Sequence, residues 1–184
     1  MRMNFTRRDW IFGTLGSTAW AAIAAAQEHA RTSIEQPYSA KFEFFDIAAA
    51  GDIAAIAEQI LPSDDGPGAT EAGVIFFIDR ALTTFDTDKQ DIYRNGLSDL
   101  NERRAKMFPG SGSFAGLSKG QQGELLRAIE NSDFFETIRI HTLLGFLGNP
   151  SYGGNRGSAG WKYIGFEDRM AWTPPFGYYD AEAK

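Results

Sequence analysis

Between Asp46 and Pro150 apolar residues recur three and four positions apart, in runs that end at proline- or glycine-bearing breaks. That period restricts this stretch to helices. Ile47, Ala50, Ile53, Ala54, Ala57, Ile60 and Leu61 mark the first run, with Asp46 as its N-cap and Pro62 as its stop. Val74, Phe77, Ile78, Ala81, Leu82 and Phe85 mark the second. Tyr93, Leu97, Leu100 and Met107 mark a third, more exposed run from about Lys89. Beyond the break at Pro109-Gly110-Ser111-Gly112-Ser113, Ser118 precedes Gln121 by three residues, the spacing of a capping box, and Leu125, Leu126 and Ile129 form the buried face of a fourth helix. A fifth begins near Asp133 and runs through Phe134, Phe135, Ile138, His141, Leu144 and Gly145 to Leu147, where Asn149-Pro150 ends it. No alternating run is long enough to build a sheet, and no internal repeat occurs. The expected fold is a small all-α domain of about five helices over residues 46–150.

The flanks differ in kind. Residues 1–26 place Arg7-Arg8 ahead of an apolar run, Ile11 to Ala26, that closes on three alanines before Gln27. Basic, apolar and then small residues are the order of a secretory signal, and paired arginines point to the twin-arginine route into the periplasm. The alternatives are a helix packed on the domain and an uncleaved leader holding the protein at the inner membrane. The run falls short of the roughly 20 residues that span a bilayer comfortably. Residues 27–45 read as a polar arm tied down by Phe42, Phe44 and Phe45. Residues 151–184 carry five glycines between Gly153 and Gly165, a further Gly177, Pro174-Pro175 and eight aromatics, and read as an extended segment lying across the helices or across a partner.

Composition narrows the chemistry. With no cysteine, the chain can build no disulfide, thiolate zinc site, iron–sulfur cluster or covalent haem attachment. A net charge of -6, which falls to -8 when residues 1–26 leave with Arg2, Arg7, Arg8 and Asp9, argues against nucleic acid as a partner. The 15 Phe, 6 Tyr and 4 Trp supply the apolar area for a core, so the chain is not a disordered one. Twin-arginine export favours proteins that fold around a cofactor before crossing, yet no cofactor site is legible here. One resolution is that the signal serves a partner lacking its own.

The candidate sites are few. His141 is the one histidine beyond the arm. A lone histidine makes no His-rich metal site, so it reads first as a structural or interface residue and only second as an acid–base group. Asp64, Asp65, Glu71 and Asp79 form the densest carboxylate group. Asp64-Asp65 ahead of Gly66-Pro67 reads as a structural turn whose carboxylates cap backbone N–H groups, with cation binding or hydrolysis as the lesser readings. Arg156, beside Asn155, is placed to pair with that acidic turn or with a partner's carboxylate. Arg156, Trp161, Phe166 and Trp172 are the candidate interface anchors, since buried Trp and Arg dominate interface energetics. Their use within the domain is an equal alternative.

Three blocks occur in order: Ile60-Leu61-Pro62-Ser63-Asp64-Asp65 through Phe77-Ile78-Asp79, Arg139-Ile140-His141-Thr142 through Asn155-Arg156, and Gly160-Trp161-Lys162-Tyr163-Ile164-Gly165-Phe166. With the leader, they resemble the gluconate 2-dehydrogenase subunit 3 family, the small subunit of bacterial membrane-associated sugar and polyol dehydrogenases. The resemblance implies a chain with no catalytic residue, metal or cofactor of its own. It implies an FAD-bearing large subunit as partner, a multi-haem cytochrome c subunit that passes electrons on, and a role in stability, maturation and export of the flavoprotein through the twin-arginine translocase. Two other readings stay open: an accessory subunit of a different flavin oxidoreductase, and a free-standing periplasmic carbohydrate-binding or enzymatic domain built on the acidic turn and the tail aromatics.

Overall fold

The computed structural model describes residues 41–169 and Ala171; the leader with Arg7 and Arg8, most of the arm, and Trp172 lie outside the described residues. Within them the fold is all-α, with six α-helices and no strand. Helix α1 runs Ile47–Ile60, α2 Val74–Thr83, α3 Gln90–Met107, α4 Lys119–Arg127, α5 Asp133–Leu147 and α6 Ala159–Tyr163.

The helix starts are set by side chains that take up free backbone donors. Asp46 accepts from the Ala49 N–H at 2.7 Å and opens α1. Ser118 and Gln121 form the capping box of α4, each accepting from the other's backbone N–H. Ser132 accepts from Phe135 N–H at 3.2 Å and opens α5. Gly73 stands before α2 with φ 66°, a left-handed conformation that costs glycine nothing. Thr83 and Thr84 close α2 by turning their hydroxyls back onto its last carbonyls.

Helix α5 is the hub, packing against α1, α2, α3 and α6. Its inward residues Phe134, Ile138, His141, Thr142, Gly145 and Phe146 are buried. They meet Ile53, Ile56, Val74, Phe77, Ile78, Leu82, Tyr93, Leu100 and Leu125 in one core. Each aliphatic side chain so enclosed contributes about 2 kcal/mol by leaving water. Gly96 leaves room for the Phe134 ring where α3 meets α5, and Gly145 does the same for Phe77 and Val74. The expected stripes hold except at Ile47, at Phe85 and, on α5, at Leu144 and Leu147, which face outward. Ile47 is 87% exposed because it sits on the first turn of α1, ahead of the packed face, and Ile56 takes its place inside. Phe85 follows the end of α2 and is half-exposed rather than buried.

The segment after Pro150 departs from the extended form expected of it, as far as Tyr163. It makes two short 3-10 turns, Pro150–Tyr152 and Arg156–Ser158, and then α6. Left-handed residues at Gly153, Asn155, Gly157 and Ser158 fold the chain back on itself between these turns. Glycine density here marks tight reversals against α5, not an open strand.

Candidate partner interface

The polar residues that organise the domain were only partly visible beforehand. Asp79, buried on α2, accepts three backbone N–H bonds from the arm: Glu43 at 2.9 Å, Phe44 at 3.0 Å and Phe45 at 3.1 Å. It is a clamp on the chain entering α1, and Phe42 stacks on Phe76 beside it. Asp52, also buried, accepts from Ala115 N–H at 2.9 Å and ties the loop before α4 to α1. Both carboxylates sit among donors, which is what makes their burial affordable.

The 61–73 loop is held differently from expectation. Asp64 and Asp65 are exposed and accept no hydrogen bond among the described residues. Glu58 does the work instead, accepting from Ser63 N–H, Thr70 N–H and the Thr70 hydroxyl. Glu71 accepts from the Ser63 hydroxyl and Gly68 N–H. Burial pushes the Glu58 pKa up, but the bonds from Thr70 and Ser63 outweigh it and leave it below the ordinary value. For Glu71 the Ser63 hydroxyl bond leads, and the result is again a lowered pKa. Gly66 lies against the Tyr163 ring, where a side chain would overlap it, so the turn is met by the tail's aromatic rather than by its cation. The carboxylate group read from the sequence is thereby dispersed, and no cluster of three or more potential metal ligands occurs among the described residues.

His141 sits in a closed network. Tyr93 Oη donates to its Nδ1 at 2.9 Å, and its Nε2–H donates to Asp86 at 3.2 Å, which assigns the neutral ring its proton. The Tyr93 ring stacks on the imidazole at 5.7 Å, and Phe77 meets its edge. Burial lowers the His141 pKa, and Asp86 draws it back only in part. Burial likewise drives the Tyr93 hydroxyl well above its ordinary range. Both ring nitrogens are committed, so His141 braces α5 to α3 and to the loop after α2.

Asn155 organises the folded tail, a role the sequence did not single out. It is fully buried with φ 44°, and its backbone N–H reaches Gly145 O at 2.7 Å. Its side chain donates to Gly148 O and accepts from Gly160 N–H, both at 2.9 Å. Trp161 Nε1 donates to Leu147 O at 2.6 Å, and its ring meets Phe166 edge-on at 5.1 Å. Trp161 is thus spent largely within the domain, while Phe166 is 45% exposed. Arg156 lies over the Phe76 ring at 3.7 Å and makes no ion pair with Asp64 or Asp65.

What remains unpartnered is an apolar face. Ile140, Leu143, Leu144 and Leu147, at i, i+3, i+4 and i+7, are between 39% and 48% exposed on the outer side of α5. Phe85 and Tyr152, packed edge-on at 5.9 Å, are a further pair of half-exposed rings, and Tyr163 and Ile164 at the end of α6 are exposed as well. Scattered exposed aliphatics are ordinary, but four on one stripe of one helix are not. Beyond the exposed Glu136–Arg139 pair, α5 is apolar on both its inner and its outer side, a pattern suited to the interior of a larger body. A groove of about 430 Å³ between α1 and α4 is lined in part by Glu58, Gln59, Lys119 and Gln122, but its amides bond each other across it at 2.7 Å. No helix among the described residues is long and apolar enough to cross a membrane.

The sequence model of the family described as Gluconate 2-dehydrogenase subunit 3 matches residues 51–168, a span that holds the loop, α5 and the folded tail. Neither a curated protein nor a solved structure matches the chain.

Proposed function

The chain belongs to the gluconate 2-dehydrogenase subunit 3 family, and on that premise we propose that it is the non-catalytic small subunit of a periplasmic FAD-dependent sugar or polyol dehydrogenase. It stabilises the flavoprotein large subunit, supports its maturation, and carries it through the twin-arginine translocase on the leader that holds Arg7 and Arg8. FAD belongs to that partner, and haem c to a cytochrome subunit that receives the electrons.

The observation that carries this reading is the outer face of α5. Ile140, Leu143, Leu144 and Leu147 leave an aliphatic stripe in water on the helix that organises the core. Covering it with a large protein surface recovers free energy that the isolated chain forgoes. The occupant is the dehydrogenase's large subunit, a reading supported by membership in a family of dehydrogenase subunits. The polar groups with chemical potential, His141, Asp79, Asp52 and Glu58, are all occupied within the fold, which favours a binding role over turnover.

The test is an affinity pull-down of the C-terminally tagged full chain from periplasmic and membrane fractions, with an absorbance scan of the eluate. A co-eluting large subunit with flavin absorbance is the expected result, and replacing Arg7 and Arg8 by lysine should retain both proteins in the cytoplasm. A colourless chain eluting alone under gentle conditions overturns the proposal.

A further inference from the structure

Arg156 is the one described side chain with buried polar atoms left unsatisfied. Its Nε and Nη2 are shielded from water and have no hydrogen-bond partner. The fold has made room for it deliberately. Gly73, at φ 66°, lies against the Arg156 stem so closely that a side chain there would overlap Cγ, Cδ and Nε. The Arg156 backbone N–H is pinned to Ala72 O at 3.0 Å, and its guanidinium lies flat over Phe76. Phe42 stacks on the same ring.

A positioned, partly desolvated cation is expensive unless an anion answers it. The carboxylates of the 61–73 loop and its flanking helices are hydrogen-bonded elsewhere or exposed, and among the described residues none pairs with Arg156. Glu71 is bound to Ser63 and Gly68, Glu58 to Ser63 and Thr70, and Asp79 to the arm. Asp64 and Asp65 stand exposed on the turn. Burial accordingly pushes the Arg156 pKa down to about 10. The aromatic face offsets part of the cost but supplies no acceptor for an N–H.

We infer that Arg156, set over Phe76 and backed by Gly73, is a receptor for a carboxylate side chain of the dehydrogenase's large subunit, which approaches at Nη1, the end of the guanidinium not closed off within the chain. This rests on the proposed function and deepens it: the aliphatic stripe of α5 supplies area, and Arg156 supplies a single charged contact that fixes orientation. A desolvated guanidinium is weakly screened, so a carboxylate reaching it gains more than at an open surface. The same desolvation makes the free chain less stable than it would be with an uncharged side chain at this position.

That opposition of signs is the test. The full chain is produced alone and with its large subunit, as wild type, Arg156→Met and Arg156→Lys. Arg156→Met should melt no lower than wild type as the free chain, while its Kd for the flavoprotein rises about thirtyfold or more. Arg156→Lys, which keeps the charge but loses the planar fork, should fall between the two. A lower Tm for free Arg156→Met overturns the inference, since it means that contacts within this chain, the Phe76 face among them, already offset the burial of the arginine. Wild-type affinity in Arg156→Met with wild-type capture intact overturns it while leaving the proposed function standing. Failure of the wild type itself to hold any flavoprotein overturns both.

Discussion

Replacing Asp79 by alanine removes the acceptor for three consecutive backbone donors at once. Oδ1 serves Phe44 and Phe45, and Oδ2 serves Glu43, all within 2.9–3.1 Å. Hydrogen bonds to a charged acceptor contribute about 1.5–3 kcal/mol each, but freed donors near the surface recover water. Only the Phe45 bond is fully buried. Counting that bond fully and the other two at about half gives roughly 4 kcal/mol, which for a chain of this size lowers Tm by about 8–16 °C. Asp79→Asn is the sharper variant. Its amide oxygen can retain two of the bonds without charge, while its NH2 faces the Glu43 N–H, donor against donor. A loss of about 2 kcal/mol, or roughly 4–8 °C, is expected. Thermal melts followed by circular dichroism measure both, and amide exchange at residues 43–45 should quicken well beyond that of the α5 core. If Asp79→Ala melts within about 2 °C of wild type, the clamp does not hold the arm and the energetic argument fails.

Two further outcomes follow from the packing and the ionisation. In Gly160→Ala the new methyl overlaps the carbonyl oxygen of Phe146, part of the α5 backbone, which has nowhere to retreat; a loss of about 2–3 kcal/mol is expected in denaturant titration, whereas Gly120→Ala, with open space at the same atom, should be neutral or stabilising. His141 has a folded pKa below 6.5, so below that pH the unfolded chain takes up a proton that the folded one refuses. Its contribution to stability is therefore level above pH 6.5 and declines as the pH falls from there toward the folded pKa. His141→Gln should flatten the slope of stability against pH in that window, and an unchanged slope would refute the assignment.

Local signals read well from the chain because their partners lie within a few residues. Asp46 as a cap, the Ser118–Gln121 box and the helical period of α2 and α5 all act across one turn. The roles of carboxylates did not read well, because they depend on contacts that span the fold. Asp79 answers residues 34 to 36 positions away, and Asp52 reaches 63 positions to Ala115. Asp64 and Asp65 had the composition of turn makers, but Glu58 on the preceding helix outcompeted them by facing the loop from a rigid base. Glycine density in the tail suggested an open chain and instead allowed backbone to approach backbone, Gly154 against Gly145 and Gly160 against Phe146. Of the residues read as interface anchors, Phe166 is exposed and Trp161 is tied to Leu147 O. The aliphatic stripe was missed because apolar residues fill both sides of α5 from Ile140 on, so period alone does not mark which side faces out.

That stripe also governs how much of this protein a cell can hold. A chain with four aliphatics in a row on its surface is a poor solute, and copies without a partner find each other through the same face. The tolerable amount of free chain is thus capped by the supply of whatever covers α5, and synthesis of the two must be matched in dosage. Free chain should then stay soluble at low concentration, with overproduction shedding the excess as aggregates.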